Sequence, residues 1–122
     1  MKIKFPSTYN NLISCGIQND YSMGYADACG FRASTAVPFY FFDLEKNTET
    51  ELLVHPIAYM DATFVFYQKK PPAQAWHEIN NLHMEVKKFG GLFHYIWHNE
   101  TVNDQGMWKG WQQIFLKTLQ LK

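Results

Sequence analysis

His94 and His98 stand four residues apart in GLFHYIWHNE, residues 91–100, an otherwise apolar run that closes on a polar His-Asn-Glu tip. Two imidazoles can hold one metal ion if their nitrogens converge, and a single imidazole can pass a proton near neutral pH. The backbone decides between these chemistries. A helix would bring the i and i+4 nitrogens to one ion, as in metalloprotease helices, but HYIWH lacks the glutamate that such an enzyme places beside its first histidine. The segment follows Gly90 and Gly91, has only about seven residues before the polar tip, and mixes Phe, Tyr, Ile and Trp, all of which favour a strand. In a strand the two histidines share a face but lie roughly 13 Å apart, at about 3.3 Å per residue, too far for a shared ion. His94 is therefore expected to be a packed, structural histidine. His98, at a strand end that feeds a polar loop, is the one placed for chemistry.

Strand ends in helix–strand–helix arrangements are where α/β proteins gather reactive groups. Asp20, Arg32, His55, Asp61 and Asp104 each lie near a strand or turn boundary and are candidates for the same end as His98. Each also has a purely structural reading. Arg32 can pair with a surface carboxylate, and His55, before Pro56, can be a packed strand residue. Asp61 can cap a helix beginning ATFVF, and Asp104 can cap the final helix.

The elements that would carry these residues follow from periodicity and breakers. Ser7 after Pro6, then Tyr9, Leu12 and Ile13 on one face and Gly16 as a stop, predict a short helix at 8–15. Residues 17–34, with Gly24 and Gly30 and no sustained period, predict loop and short extended pieces. VPFYFFDL and ELLVHPI, separated by a polar turn, predict two strands able to pair as a hairpin, the second ended by Pro56. Trp76, Ile79, Leu82, Val86 and Phe89 recur at helical spacing and predict a helix over about 73–89. GMWKGWQQIFLKTLQ, with Trp108, Trp111, Phe115 and Leu119 similarly spaced, predicts a second long helix in which Gly110 weakens only the first turn.

A chain of 122 residues that is 47% hydrophobic and 17% aromatic can bury one core and is short for two domains. Eleven basic and eleven acidic side chains cancel, so no broad field draws nucleic acid or an anionic membrane. There is no apolar stretch of secretory or membrane-spanning length, and the expected location is cytoplasmic. Cys15 and Cys29 could pair, although a chain with this core does not require a disulfide.

From KFPSTYNNL to the end, the order DYSMGYADACGFRASTAVPFYFFDLEKNTETELLVHPIAYMDATF, a helix, GGLFHYIWHNE and WKGWQQIF resembles the C-terminal part of the polysaccharide deacetylase family; GFR, HPIAYMDAT and WHNE carry the resemblance. It implies an α/β fold in which residues 1–122 are a partial (β/α) barrel, the C-terminal portion of a distorted deacetylase-like barrel. The family removes N-acetyl or O-acetyl groups from sugars with a bound divalent metal, usually zinc, on a domain longer than 122 residues. The resemblance places the family's arginine, which holds the catalytic aspartate, on Arg32. It places a carboxylate on Asp61 and the general-acid histidine on His98, with Asp61 setting the second nitrogen of His98. The family's leucine three residues before that histidine is Tyr95 here.

The family's adjacent aspartates and its separate H-x-x-x-H metal motif do not occur in these 122 residues, where the only H-x-x-x-H is HYIWH itself. A deacetylase of this type needs its metal to polarise the carbonyl and activate water. The chain alone is therefore expected to hold no metal and to lack independent deacetylase activity, with a structural or self-associating role. A homodimer, or a partner that completes the barrel, would cover its exposed strand edges. With such a partner supplying the missing motifs, the assembly would be a metal-dependent carbohydrate deacetylase. A third reading, a non-catalytic sugar-binding module, needs Trp97, Trp108 or Trp111 open beside His98.

Overall fold

The computed structural model describes residues 3–122. The chain begins with helix α1 (Ser7–Ser14), followed by β1 (Asn19–Asp20), β2 (Phe39–Asp43), β3 (Thr48–Val54) and β4 (Ile57–Met60). A π-helical turn (Thr63–Tyr67) and the long helix α2 (Pro72–Phe89) come next. Strand β5 (His94–Ile96), two 3-10 turns (Asn99–Asn103 and Gly106–Trp108) and α3 (Trp111–Leu119) complete the chain. The helices predicted near both ends of the chain, the central helix and the strand after the glycine pair are all present.

The five strands form two sheets. In the first, of order β1-β3-β2, β1 runs parallel to β3 with Asn19 opposite Leu53, and β2 runs antiparallel to β3 with Phe39 opposite Val54. The β2–β3 turn is built by Asp43, whose Oδ1 accepts the Glu45 N–H at 3.0 Å, and by Asn47 in the left-handed region at φ +50°. The second sheet pairs β4 with β5 in parallel, Ile57 opposite His94 and Met60 opposite Ile96. A helical crossover joins these two strands, as parallel pairing requires.

Mixed α/β architecture is thus observed, but the strands described close no barrel. The departure from the expected partial barrel has a local cause. A connection of four residues between β2 and β3 leaves no room for a crossover helix, so β2 must return antiparallel. Pro56, which has no N–H to give, then ends β3 and hands the chain to the second sheet. Backbone bonds carry the pairing across this break: His55 N–H donates to Asp20 O (2.8 Å) and Ile57 N–H to Met23 O (2.9 Å).

Each sheet has its own core. Tyr9, Met23, Leu52 and Val54 are buried where α1 covers the first sheet. Ala58, Tyr59, Phe64, Ala75, Ile79, Trp111 and Ile114 are buried where α2 and α3 pack on the second. On α2 the buried face is Ala75, Ile79 and Val86, with Trp76 and Leu82 partly covered. The stripe predicted for α2 therefore holds except at its end, where Phe89 projects into solvent. The predicted final helix is shorter than its periodicity suggests. Gly110 adopts φ +89°, a left-handed conformation that separates the 3-10 turn at 106–108 from the nine residues of α3.

Candidate functional site

The β4 and β5 strands end side by side because they are parallel and in register, and the chain leaves each through a polar residue. Asp61 follows Met60 at the end of β4 and is fully buried. His98 lies two residues beyond Ile96, the last residue of β5. The imidazole Nδ1 of His98 sits 2.5 Å from Asp61 Oδ1, and the His98 backbone N–H donates to Asp61 Oδ2 at 2.7 Å. The Thr101 hydroxyl also donates to Oδ2, and the Ala62 N–H to Oδ1 at 2.7 Å. A buried carboxylate is tolerated only when its lone pairs are filled, and here four donors fill them.

This geometry fixes a tautomer. A carboxylate accepts from Nδ1–H, so the neutral ring keeps its lone pair on Nε2. The His98 side chain is 46% exposed, whereas that of Asp61 is sealed from solvent. The arrangement can therefore take up or release a proton at Nε2 while Asp61 holds the ring and balances the charge of the protonated form.

The structure brings Asp61 and His98 together, the pair that the family resemblance had named. Asp61 does not act as a conventional helix cap, since its carboxylate reaches only the next residue's N–H and is otherwise committed to His98 and Thr101. Arg32 lies over the Phe5 ring, 5.7 Å from its centre, and its guanidinium makes no hydrogen bond to Asp61 or His98. Asp20 accepts from the Tyr9 hydroxyl (2.9 Å) and the Ser22 hydroxyl (2.7 Å), a structural carboxylate under α1. Burial, reinforced by that bond to Asp20, holds the Tyr9 phenol well above its usual range. Asp104 accepts the N–H of Gly110, just ahead of α3, at 2.6 Å.

The three tryptophans divide. Trp111 is 2% exposed and belongs to the second core. Trp97 packs between Trp111 and Phe115, with ring centres 6.2 and 5.3 Å away, and its Nε1–H points to the Tyr59 hydroxyl at 3.3 Å. Trp108 is partly exposed and meets the exposed Phe66 ring edge to face at 5.4 Å. Trp97 and Trp108 are both partly exposed, but Trp97 packs against the second core whereas Trp108 lies on the loop that follows β5.

The residue that the sequence did not point to is Thr101. Its role depends on the 3-10 turn after His98, which returns the hydroxyl to Asp61; a short polar turn has no periodicity to announce it. Among the described residues, no group of three or more histidine, cysteine, aspartate or glutamate side chains is arranged to hold a metal ion, and no helix is long and apolar enough to cross a membrane. Cys15 and Cys29 are both free thiols. No family model, curated protein or solved structure matches this chain.

Proposed function

We propose that this chain carries the proton-transfer half of a carbohydrate deacetylase site, with His98 as general acid and Asp61 as the carboxylate that orients it. The observation that carries the reading is the sealed Asp61 carboxylate gripping both the backbone and the ring of a half-exposed histidine, at adjoining ends of two parallel strands. An imidazole held in this way protonates a departing amine or alkoxide from Nε2 and recovers its proton from water. The β4–α2–β5 crossover is also the unit from which a (β/α) barrel is assembled, which fits these strands as neighbours in a larger deacetylase-like barrel.

The donor set of the described residues does not fit the divalent metal that such a hydrolase uses at its carbonyl, so no metal step is assigned to this chain. The base, the metal and the rest of the barrel would come from polypeptide beyond these residues or from a partner. The test is acetate release from N-acetylated and O-acetylated oligosaccharides by the intact cellular assembly, isolated through a tag on this chain. Replacement of His98 by alanine is expected to lower the rate about 10²- to 10⁴-fold. An assembly that works equally well with His98→Ala, or that deacetylates no sugar, overturns the reading.

A second reading, self-association, rests on a different surface. Strand β2 is an edge strand carrying exposed Tyr40 and Phe42 and followed by exposed Leu44, beside an apolar groove of about 490 Å³ lined by Phe5, Met23, Phe39 and Phe41. It lacks the lysines and internal proline that ordinarily protect an edge. Light scattering is expected to give a dimeric mass that reverts to monomer in Phe42→Lys. A monomeric wild type refutes this reading and leaves the deacetylase reading untouched.

A further inference from the structure

Away from His98, the imidazoles beside the strands are packing residues: the His55 and His94 rings meet edge to face at the junction of the two sheets, and Tyr21 stacks on His55. Among the described residues His98 alone pairs with a carboxylate, and Thr101 completes that contact. Thr101 is 1% exposed and lies in the 3-10 turn that follows His98. Its backbone N–H donates to His98 O at 3.1 Å, and its hydroxyl donates to Asp61 Oδ2. The turn thus closes a ring of hydrogen bonds through His98 and Asp61.

The two oxygens of Asp61 are used differently. Oδ1 takes the Ala62 N–H and faces the His98 ring, whereas Oδ2 takes the His98 N–H and the Thr101 hydroxyl. Two of these donors are main-chain groups and one is the ring itself, so the Thr101 hydroxyl is the donor that a side-chain substitution can remove without altering His98. Burial alone would ask only for some acceptor, and a carbonyl suffices elsewhere: the buried Thr118 hydroxyl donates to Ile114 O at 2.9 Å. Thr101 instead donates to a carboxylate, which makes the bond charge-assisted and roughly twice as strong as a neutral one. A donor on a carboxylate favours its ionised form. With Oδ2 doubly occupied, Oδ1 competes less well for the ring proton than it would without the Thr101 donor.

We propose that Thr101 is a positioning residue for proton transfer at His98: its hydroxyl turns Asp61 Oδ1 toward the ring and keeps the Nδ1 proton on the imidazole. Proton exchange is then confined to Nε2. When His98 acts as an acid, the Nε2–H bond breaks, its electron pair stays on Nε2 and the proton passes to the leaving oxygen or nitrogen, while the Nδ1–H bond is kept. The use of this arrangement in catalysis rests on the deacetylase reading; the arrangement itself belongs to the chain alone and is measured there.

The experiment compares the His98 ring signals in NMR spectra of the wild type, of Thr101→Val, which keeps the branched shape and removes the donor, and of Thr101→Ser, which keeps the donor. Thr101→Val is expected to shift the Nδ1 proton downfield, toward a proton shared with Asp61, and Thr101→Ser to restore the wild-type position. A role in packing alone would give the opposite order, since only serine lacks the methyl. Unchanged ring signals in folded Thr101→Val, or Thr101→Ser signals displaced like those of Thr101→Val, overturn the proposal. In the wild type the Thr101 hydroxyl proton is expected to be protected from exchange with water, and rapid exchange overturns the proposal even if neither variant folds. In the tagged assembly, Thr101→Val is expected to lower kcat about 10-fold with KM unchanged. An assembly that deacetylates no sugar refutes the deacetylase reading, while the ring signals still decide the role of Thr101.

Discussion

Asp61 accepts from both the backbone N–H and the ring of His98, a residue 37 positions later, so one carboxylate fixes the end of β5 and the orientation of its imidazole together. The pairing is as much structural as chemical, and the two roles can be separated by substitution.

Asp61→Asn keeps the shape of the side chain but presents one amide donor where the carboxylate only accepted. It is expected to cost about 1–3 kcal/mol of stability in urea denaturation, because the buried donors that converge on Asp61 can no longer all be satisfied. The nitrogen chemical shifts of the His98 ring are expected to move away from the Nδ1–H tautomer. A variant with wild-type stability and an unchanged tautomer would show that Asp61 does not hold the ring.

Acid should weaken the junction between the sheets. Burial and His94 lower the affinity of folded His55 for a proton below that of the unfolded chain, where histidine titrates near 6.5, so the unfolded state binds the proton first. This contribution to stability is intact above about pH 6.5, diminishes as the pH falls below it, and is lost once the pH has passed through the folded value. Denaturation midpoints between pH 7.5 and 5 are expected to fall more steeply for the wild type than for His55→Phe, in metal-free buffer.

Gly91 precedes β5 at φ +136°, and a Cβ placed there would come within 2.7 Å of Ala36 Cβ and 3.1 Å of Ala36 O. The close approach is used, since the Leu92 N–H donates to Ala36 O at 2.9 Å. Gly91→Ala is expected to lower the stability by about 1–3 kcal/mol through strain and overpacking. Thermal unfolding measures this; an unchanged melting temperature would mean that the 36–92 contact is dispensable.

The two thiols should differ sharply in reactivity. Cys15 is exposed, whereas burial, aided by the neighbouring Glu78 carboxylate, pushes the Cys29 thiol up to about 12. The thiolate is the reactive form. Iodoacetamide at pH 8 followed by mass spectrometry is expected to label Cys15 fully while Cys29 in the folded chain remains largely unmodified.

The strand end marked His98, and Asp61 stood only among five boundary candidates; their pairing was implied by the family resemblance, since β4, the strand that ends before Asp61, was not announced by its own short pattern. What β4 and β5 share in space, a parallel register, follows from the helix between them. The His55–His94 contact was not legible in the same way. It joins residues 39 positions apart through a kink at Pro56, and nothing in either local pattern names the other. The tryptophans show a further limit: Trp97, Trp108 and Trp111 look alike as apolar residues in sequence, and only packing separates the buried Trp111 and the partly covered Trp97, which join the second core, from Trp108, which meets Phe66. The shorter final helix has a local cause that spacing alone underweighted, since Gly110 interrupts the turn on which the predicted helix depended.

The two cores share no buried residue, and the stretch from Val54 to Ile57 links the two sheets. Such a molecule has a seam. Substitutions under α1 can loosen the first sheet while Asp61 and His98, which rest on the other core, keep their geometry. The hairpin is thereby free to vary in sequence, or to be reshaped by a partner, at little cost to the proton-transfer pair, and selection can act on the two halves largely one at a time.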